Sequence, residues 1–419
     1  MSTAQPSVLL LCNYEPHRAT CVTDHIEALA RTPGLRVFVR SGHGDLPSAV
    51  DLARFDAVAI HYSTFLTEPR HLPSATRRRI AAFSGPKLVF RHDEHAAVRA
   101  SVGALVELGI DTVFTCVPQH DRPKVYPAGE LAGVEFVQLP TGIVPERLRH
   151  VRPNPMVERD VDILYRGRRY PAWHGRSGED RRRIAEQVEE AARAHRWRTD
   201  ISTREGDRLY GPRWEQALAS AKLCLVTDSG SDFAALDDAV PPRELRAIDL
   251  RQASPRVMEA AALGCVLAGY PGAWSATLEP WAAFIPIDRA DRTLSGLADV
   301  LRDDARLSRI AERGREAILS DVALSEGCLT DAFRKAVTRK LAERAAARPY
   351  AVEEWRAVAG DFRALPPGSL RRDERLRALH GRYERLIEAL PTDVGEPVDR
   401  LARRAWRAAR AVRRGLWPG

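Results

Sequence analysis

Lysine is nearly missing from this chain: five of its 64 basic residues are lysine and the others are arginine. Arginine is therefore the default cation here, and an arginine alone says little about function. Long apolar runs are missing too. None approaches the roughly 20 residues that a membrane-spanning helix needs. The opening "MSTAQPSVLLLCNYEPHR" holds an apolar run of only five residues and no basic leader, so it reads as a first strand and not as a secretory signal. Six scattered cysteines (Cys12, Cys21, Cys116, Cys224, Cys265, Cys328) form no C-x-x-C pair. That argues against a structural zinc site and for buried thiols in a reducing cytoplasm. No G-x-G-x-x-G follows a predicted strand, which disfavours a dinucleotide dehydrogenase. There is no repeat of solenoid length and no low-complexity tract.

The net charge is +8, but between Pro397 and Gly419 seven arginines against one acid supply six of those charges. The rest of the chain is close to neutral. A nucleic-acid binder would carry basic residues interleaved with aromatics in its main body, so no nucleic-acid partner is expected. The tail helix has a stripe of Leu401, Ala405, Ala409, Val412 and Leu416, with Trp406 at its edge and arginines on the other side. Such a helix either lies on an anionic membrane surface or stays solvated with a modest docking face.

A length of 419 residues with 44% apolar content suits two domains and an extra part. The first 145 residues alternate strand and helix signals. Strands are predicted at 7–13, 36–40, 56–62, 87–91, 111–117 and 135–139, each an apolar run without strict alternation, as for strands covered on both faces. The segment "LPTGIVPERLRHVRPNP" (139–155) breaks the rhythm and reads as the crossing between domains. The pattern then restarts, with strands at 161–167, 222–229, 265–270 and 284–288 and helices from about 292 to 345. This predicts an α/β protein of two doubly wound, Rossmann-like halves facing a cleft. The boundaries fall at 1–145, 155–345 and a helical, arginine-rich 350–419.

One stretch points to chemistry, "QASPRVMEAAALGC" (252–265). Ser254 suits an N-cap and Pro255 the first helical position. A helix starting there, after a long loop at the carboxyl end of a strand, offers free N–H groups to an anion. Arg256 adds a fork suited to phosphate oxygens, and Glu259, one turn on, can accept hydrogen bonds from a vicinal diol. Gly264 lets the helix end. The two side chains stand about 5–6 Å apart, which suits a nucleoside diphosphate. The plainer alternative is a surface ion pair contributing a few tenths of a kcal/mol.

"PRVMEAAALGCVLAGY" resembles the nucleotide-sugar segment of glycosyltransferases of the GT-B fold, families 1 and 4 in the broad sense, and its R-V-x-E opening resembles the spore-maturation-protein-like branch. "LPTGIVPERL", "ILYRGRR" and "LVFRHDEHAAVR" are similar to that group's interdomain, donor-strand and first-domain elements, and together the likeness spans residues 1 to about 345. It implies that Glu259 meets the donor ribose, that Arg256 belongs to the donor helix, and that Arg166, Gly167 and Arg168 lie on the diphosphate side. It also implies a nucleoside-diphosphate sugar as co-substrate, with no bound metal and no other cofactor. Three features depart from the pattern. Arg251 stands where a second glutamate is common, the clamp lysine has no counterpart (Lys222 falls inside a strand), and "CNYEPHR" replaces a glycine-rich loop.

The expected activity is cytoplasmic transfer of a sugar to a hydroxyl, on a glycan, a lipid-linked or another acceptor. Peripheral attachment at the inner face of the membrane through 397–419 would suit surface polysaccharide, glycolipid or glycoconjugate assembly. Candidate catalytic residues are His92, Asp93 and Glu94, with His95, at the carboxyl end of a strand. Asp93 and Glu94 alternatively open the following helix as cap and first turn. His61 ends another strand at the same edge and reads as a packed core histidine. Three other readings compete: a non-catalytic adaptor of the same fold working through its basic tail, a sugar-nucleotide epimerase, and a phosphorylase.

Overall fold

The computed structural model describes residues 5–15, 19–41, 45–239 and 241–344, so the expected tail at 350–419 lies outside the described residues. Apart from Arg204–Arg208, which carries a 3-10 turn of its own at Glu205–Asp207, they belong to one unit.

The first half runs β1 Ser7–Cys12, α1 Thr20–Ala30, β2 Arg36–Ser41, β3 Ala57–Ile60, α2 Ser74–Ala82, β4 Lys87–Phe90, α3 Val98–Leu108, β5 Thr112–Thr115, α4 Arg122–Val125 and β6 Glu135–Gln138. Its six strands form one all-parallel sheet in the order β2-β1-β3-β4-β5-β6. Parallel strands need crossovers, and the crossover helices cover both faces. This explains why β1, β3, β4 and β5 are buried at every position and read as unbroken apolar runs.

Helix α5, Glu146–Arg149, follows the crossing. Then come β7 Val161–Arg166, α6 Arg176–His195, β8 Thr199–Ser202, α7 Pro212–Ser220, β9 Ala221–Val226, the short β10 Phe233–Ala235 and β11 Leu245–Ala247, α8 Pro255–Ala262, β12 Val266–Gly269, β13 Ile285–Pro286, α9 Ser295–Leu301, α10 Asp304–Ser320 and α11 Glu326–Arg344. The second sheet, also all parallel, has the order β13-β12-β9-β7-β8. Strand β8, "TDIS", was not predicted; only its four residues pair, on one side, at the edge of the sheet. Strands β10 and β11 were not predicted either, and they pair antiparallel as an arm between β9 and α8.

That arm leaves its own sheet. Ala234, Leu236, Ile248 and Leu250 are buried in the hydrophobic core of the first half. Ala235 N donates to His95 O (2.7 Å) and Arg99 N to Leu236 O (3.1 Å). Helix α11 also returns, burying Leu329, Phe333, Ala336 and Val337 against Leu10, Ile26 and Phe90. Two segments of the second half, the arm and α11, thus fasten the halves together. Among the described residues no helix is long and apolar enough to cross a membrane.

Candidate functional site

Helix α8 starts at Pro255, as its sequence predicts, with Ser254 extended before it (φ −83°, ψ 159°). The Ser254 hydroxyl makes no capping bond, though its carbonyl accepts from Val257 N (3.0 Å). The helix is packed from both ends. Gly142 of the interdomain crossing lies against its start, where a Cβ would stand 3.0 Å from Pro255 Cγ and 3.2 Å from Met258 Sδ. At its far end Leu263 O accepts from Arg159 Nη2 (2.9 Å) and Ala262 O from Arg315 Nε (3.1 Å). Arg159 is 1% exposed and also reaches Asn154 O, Leu218 O and Ala221 O. A guanidinium at a helix carboxyl end opposes the dipole's negative pole.

Arg256 and Glu259 are not a surface ion pair. Glu259 is 8% exposed and accepts from Trp214 Nε1 at 2.7 Å. Burial raises its pKa; the Trp214 bond and Arg256 oppose that, while Asp24 and Glu215 add to it. Asp24 lies on α1, so the first half of the chain supplies part of the surroundings of Glu259. Arg256 lies over the rings of Tyr165 (5.2 Å) and Trp214 (5.7 Å) and donates through Nη2 to Arg166 O. Its Nε is buried without a partner.

The end of β7 places the other predicted binding residues. Arg166 turns sideways to Asp200 on β8. Gly167 N donates to Ser202 O (3.0 Å), and a Cβ there would meet the Tyr165 ring at 2.8 Å, so only glycine lets the ring fold back. Arg168 is exposed and stacks on Tyr170 at 4.6 Å. Of the three, Arg168 presents its guanidinium at the surface, whereas Arg166 contributes its carbonyl and Gly167 its bare backbone.

At the edge of the first sheet the candidate residues separate. Glu94 is 3% exposed, and both its oxygens are engaged by Thr115 Oγ1, Tyr126 Oη and Cys116 N. It anchors its own loop, and a catalytic role for it is not supported. Helix α3 starts only at Val98, so Asp93 and Glu94 do not cap it either. Asp93 is exposed in a left-handed conformation (φ 52°), which a short polar side chain tolerates better than most. Its charge is felt by His92 and His95 on its own side and by Tyr170 and His174 on the other. His92 lies flat against Tyr62 (3.8 Å, 5°), and burial lowers its pKa to about 4. His61 is fully buried, as the sequence suggests. Its Nδ1 accepts from Ser63 N (3.0 Å), so its proton sits on Nε2 and is donated to His25 Nδ1 (3.0 Å). These three histidines are neutral at pH 7. The His95 ring meets that of His174 at 5.1 Å, which brings the ends of β4 and β7 together.

Residues with no sequence signal complete the arrangement. Arg147, in α5, holds Asp24 of α1 (2.7 Å) with the same guanidinium that holds Glu215 of α7 (2.7 Å), next to Glu259. Among the described residues, five of the eleven buried side-chain nitrogens and oxygens without partners lie around the end of β7, namely Tyr165 Oη, Arg166 Nε, Trp173 Nε1, His174 Nδ1 and Arg256 Nε, and the other six are in the first half. Buried polar groups are normally paired, so such a concentration marks a place completed by a ligand. The one clue in the sequence was aromatic density: "YPAWH" packs three aromatic or imidazole rings into five residues of a chain only 7% Phe, Trp and Tyr. Among the described residues no group of three or more His, Cys, Asp or Glu side chains is placed to hold a metal ion.

No protein-family model and no curated protein matches the chain. Solved structures do. An α-glucosyltransferase in complex with UDP and a 13-mer DNA containing a HMU base aligns at 11% identity with a TM-score of 0.54, covering 80% of this chain and 100% of that one. The complex of an α-glucosyltransferase with UDP-glucose and DNA containing an abasic site gives 12%, 0.54, 80% and 99%. An α-glucosyltransferase with UDP gives 10%, 0.52, 80% and 100%. At such identity the likeness concerns architecture. Two parallel, Rossmann-like sheets with facing carboxyl edges, the later chain crossing back over the first, give this protein the GT-B fold.

Proposed function

We propose that the protein transfers a sugar from a nucleoside-diphosphate sugar to a hydroxyl acceptor. The observation that carries this reading is the inward placing of Arg256 and Glu259 on one short helix. The Ser254 hydroxyl does not cap its amino end, and its acid is held by Trp214 within reach of charges from both halves. The glycosyltransferases that share the fold, solved with UDP or UDP-glucose, support it.

In this reading Glu259 accepts from the ribose hydroxyls. The diphosphate lies between Arg256, the start of α8, Gly167 and Arg168. As the sugar–phosphate bond breaks, negative charge grows on the leaving diphosphate, and these preplaced positive groups lower the barrier. Their charge serves without a metal. Asp93, exposed at the carboxyl end of β4 and facing Tyr170 and His174, is the group placed to take the acceptor proton. His92, stacked and neutral, shapes the floor beneath it.

The acceptor we propose is a hydroxyl of a glycan or lipid-linked precursor, handled in the cytoplasm, with 397–419 as a basic contact to an anionic membrane surface. Two of these fold relatives were solved with DNA. The concentration of this chain's positive charge in 397–419 favours a membrane surface over it. Retention of labelled DNA by the protein at 0.15 M salt would reverse that choice.

The test is hydrolysis of a panel of nucleoside-diphosphate sugars. Wild type should release one sugar, and Asp93→Asn should lower turnover about 100-fold. Glu94→Gln should lower the melting temperature and leave turnover within a few-fold. Equal turnover for Asp93→Asn and wild type would remove Asp93 from the chemistry.

A further inference from the structure

The first turn of α7 is pinned by a contact that nucleotide binding does not itself use. That turn carries Trp214 and Glu215 side by side. The Trp214 indole meets both polar groups of α8: its Nε1 donates to Glu259 (2.7 Å), and the Arg256 guanidinium lies 5.7 Å from the ring. Glu215 turns instead to Arg147 of the crossing, whose Nη2 reaches Oε1 (2.7 Å) and Nη1 reaches Oε2 (3.1 Å). The other edge of the same guanidinium holds Asp24 of α1, Nε to Oδ1 and Nη2 to Oδ2, both at 2.7 Å. One arginine thus makes two forked bridges, to carboxylates from opposite halves of the chain.

An isolated exposed ion pair does little, because water screens it and two long side chains lose freedom. This bridge is of another kind. Asp24 is 7% exposed, and Arg147 makes four hydrogen bonds from a group with five N–H donors. The helix that carries Arg147 is fixed in its turn. Val144 N donates to Leu324 O, Glu146 N to Glu326 Oε1 and Arg149 Nη1 to Leu319 O, each at 2.7 Å.

Successive residues of a helix project about 100° apart. Holding Glu215 therefore sets the rotation of the first turn of α7, and with it the direction of the neighbouring indole. Arg159 holds the carboxyl end of the same helix through Leu218 O (3.3 Å). Between them the two arginines leave the nine residues of α7 little freedom to turn.

We infer that Arg147 is a positioning residue of the nucleotide site: by gripping Asp24 of α1 and Glu215 of α7 together, it holds the Trp214 indole against Arg256 and Glu259. The inference rests on the nucleotide reading of Glu259. It makes donor affinity depend on the first half, through a carboxylate on α1 to which that reading gives no contact with the nucleotide.

Calorimetric titration with UDP of wild type, Arg147→Met, Trp214→Phe and the double variant tests it. Trp214→Phe should weaken UDP about tenfold, the size of one hydrogen bond to a charged group. Arg147→Met should weaken it about fivefold, and the double variant should lose only about tenfold, because the arginine acts through the indole. Glu215→Gln, which leaves Arg147 paired with Asp24, should weaken UDP about threefold and replaces the methionine variant if that one does not fold. Losses that multiply to about fiftyfold, or no loss in Arg147→Met, would overturn the clamp and leave the nucleotide reading in place. If wild type binds no nucleotide, that reading fails and the indole N–H resonance of Trp214, assigned by its absence from Trp214→Phe, decides the clamp. A shifted resonance with faster solvent exchange in folded Arg147→Met upholds it, and an unchanged one overturns it.

Discussion

At the scale of single residues, burial decides what each charged group can do. Glu259 is pushed toward its protonated form by desolvation, and only one strong hydrogen bond and Arg256 pull the other way. Accepting from a diol needs the carboxylate. Nucleotide affinity should therefore fall on acidification, and begin to fall above 4.5, the usual value for this group. Glu259→Gln should bind more weakly at neutral pH and lose this dependence, which titrations at pH 4.5, 5.5 and 7 would show. An unchanged profile in the variant would place the titrating group elsewhere. Residue identity was legible where backbone chemistry fixes it: Pro255 opening α8 and Gly264 (φ 77°) closing it follow from the sequence. Glu94 was not legible. A carboxylate at a strand end looks the same in sequence whether it faces a groove or, as here, the side chains of Thr115 and Tyr126.

At the scale of elements, α8 is only eight residues long, too short to persist alone. It depends on what grips its ends. Arg159 ties Asn154 of the crossing, the ends of α7 and α8 and the start of β9 through four carbonyl oxygens, and among the described residues it has no carboxylate partner. Arg159→Met should cost on the order of 3 kcal/mol, since several carbonyls lose their donor inside the core. Arg159→Lys should recover only part of that, one ammonium being unable to span the four. Chemical denaturation measures both, and a loss under 1 kcal/mol for the methionine variant would show that water or repacking replaces the guanidinium. Elements with long apolar runs were readable in advance. Strand β8 and the β10–β11 arm were not, because four- and three-residue strands carry no measurable period, and "AVPPREL" reads as loop. Yet the arm proves to be what joins β4 to the turn holding His174.

At the scale of the whole molecule, two parallel sheets were evident from the alternation of runs, because strands covered on both faces must be apolar throughout. How the halves meet was not evident: the meeting depends on non-local pairs such as Asp24–Arg147–Glu215 and His95–His174, which no window of sequence contains. The same juncture buries neutral histidines. Burial lowers His25 to about 3 and His92 to about 4, and His61 falls well below its usual value of 6.5. Unfolded chains protonate these groups from about pH 6.5 downward. Stability should therefore be full above that value and decline as pH falls through it. The loss is at most about 1.4 kcal/mol per histidine between pH 6.5 and 5.5. A melting temperature independent of pH over that interval would show that the three are not held neutral. The most direct test of the whole account is calorimetric titration with UDP, GDP and dTDP, comparing wild type with Glu259→Ala. The account predicts that wild type binds at least one of the three and that Glu259→Ala loses tenfold or more of that affinity with its fold intact. Equal affinity in both proteins, or no binding of any nucleotide by wild type, would contradict it.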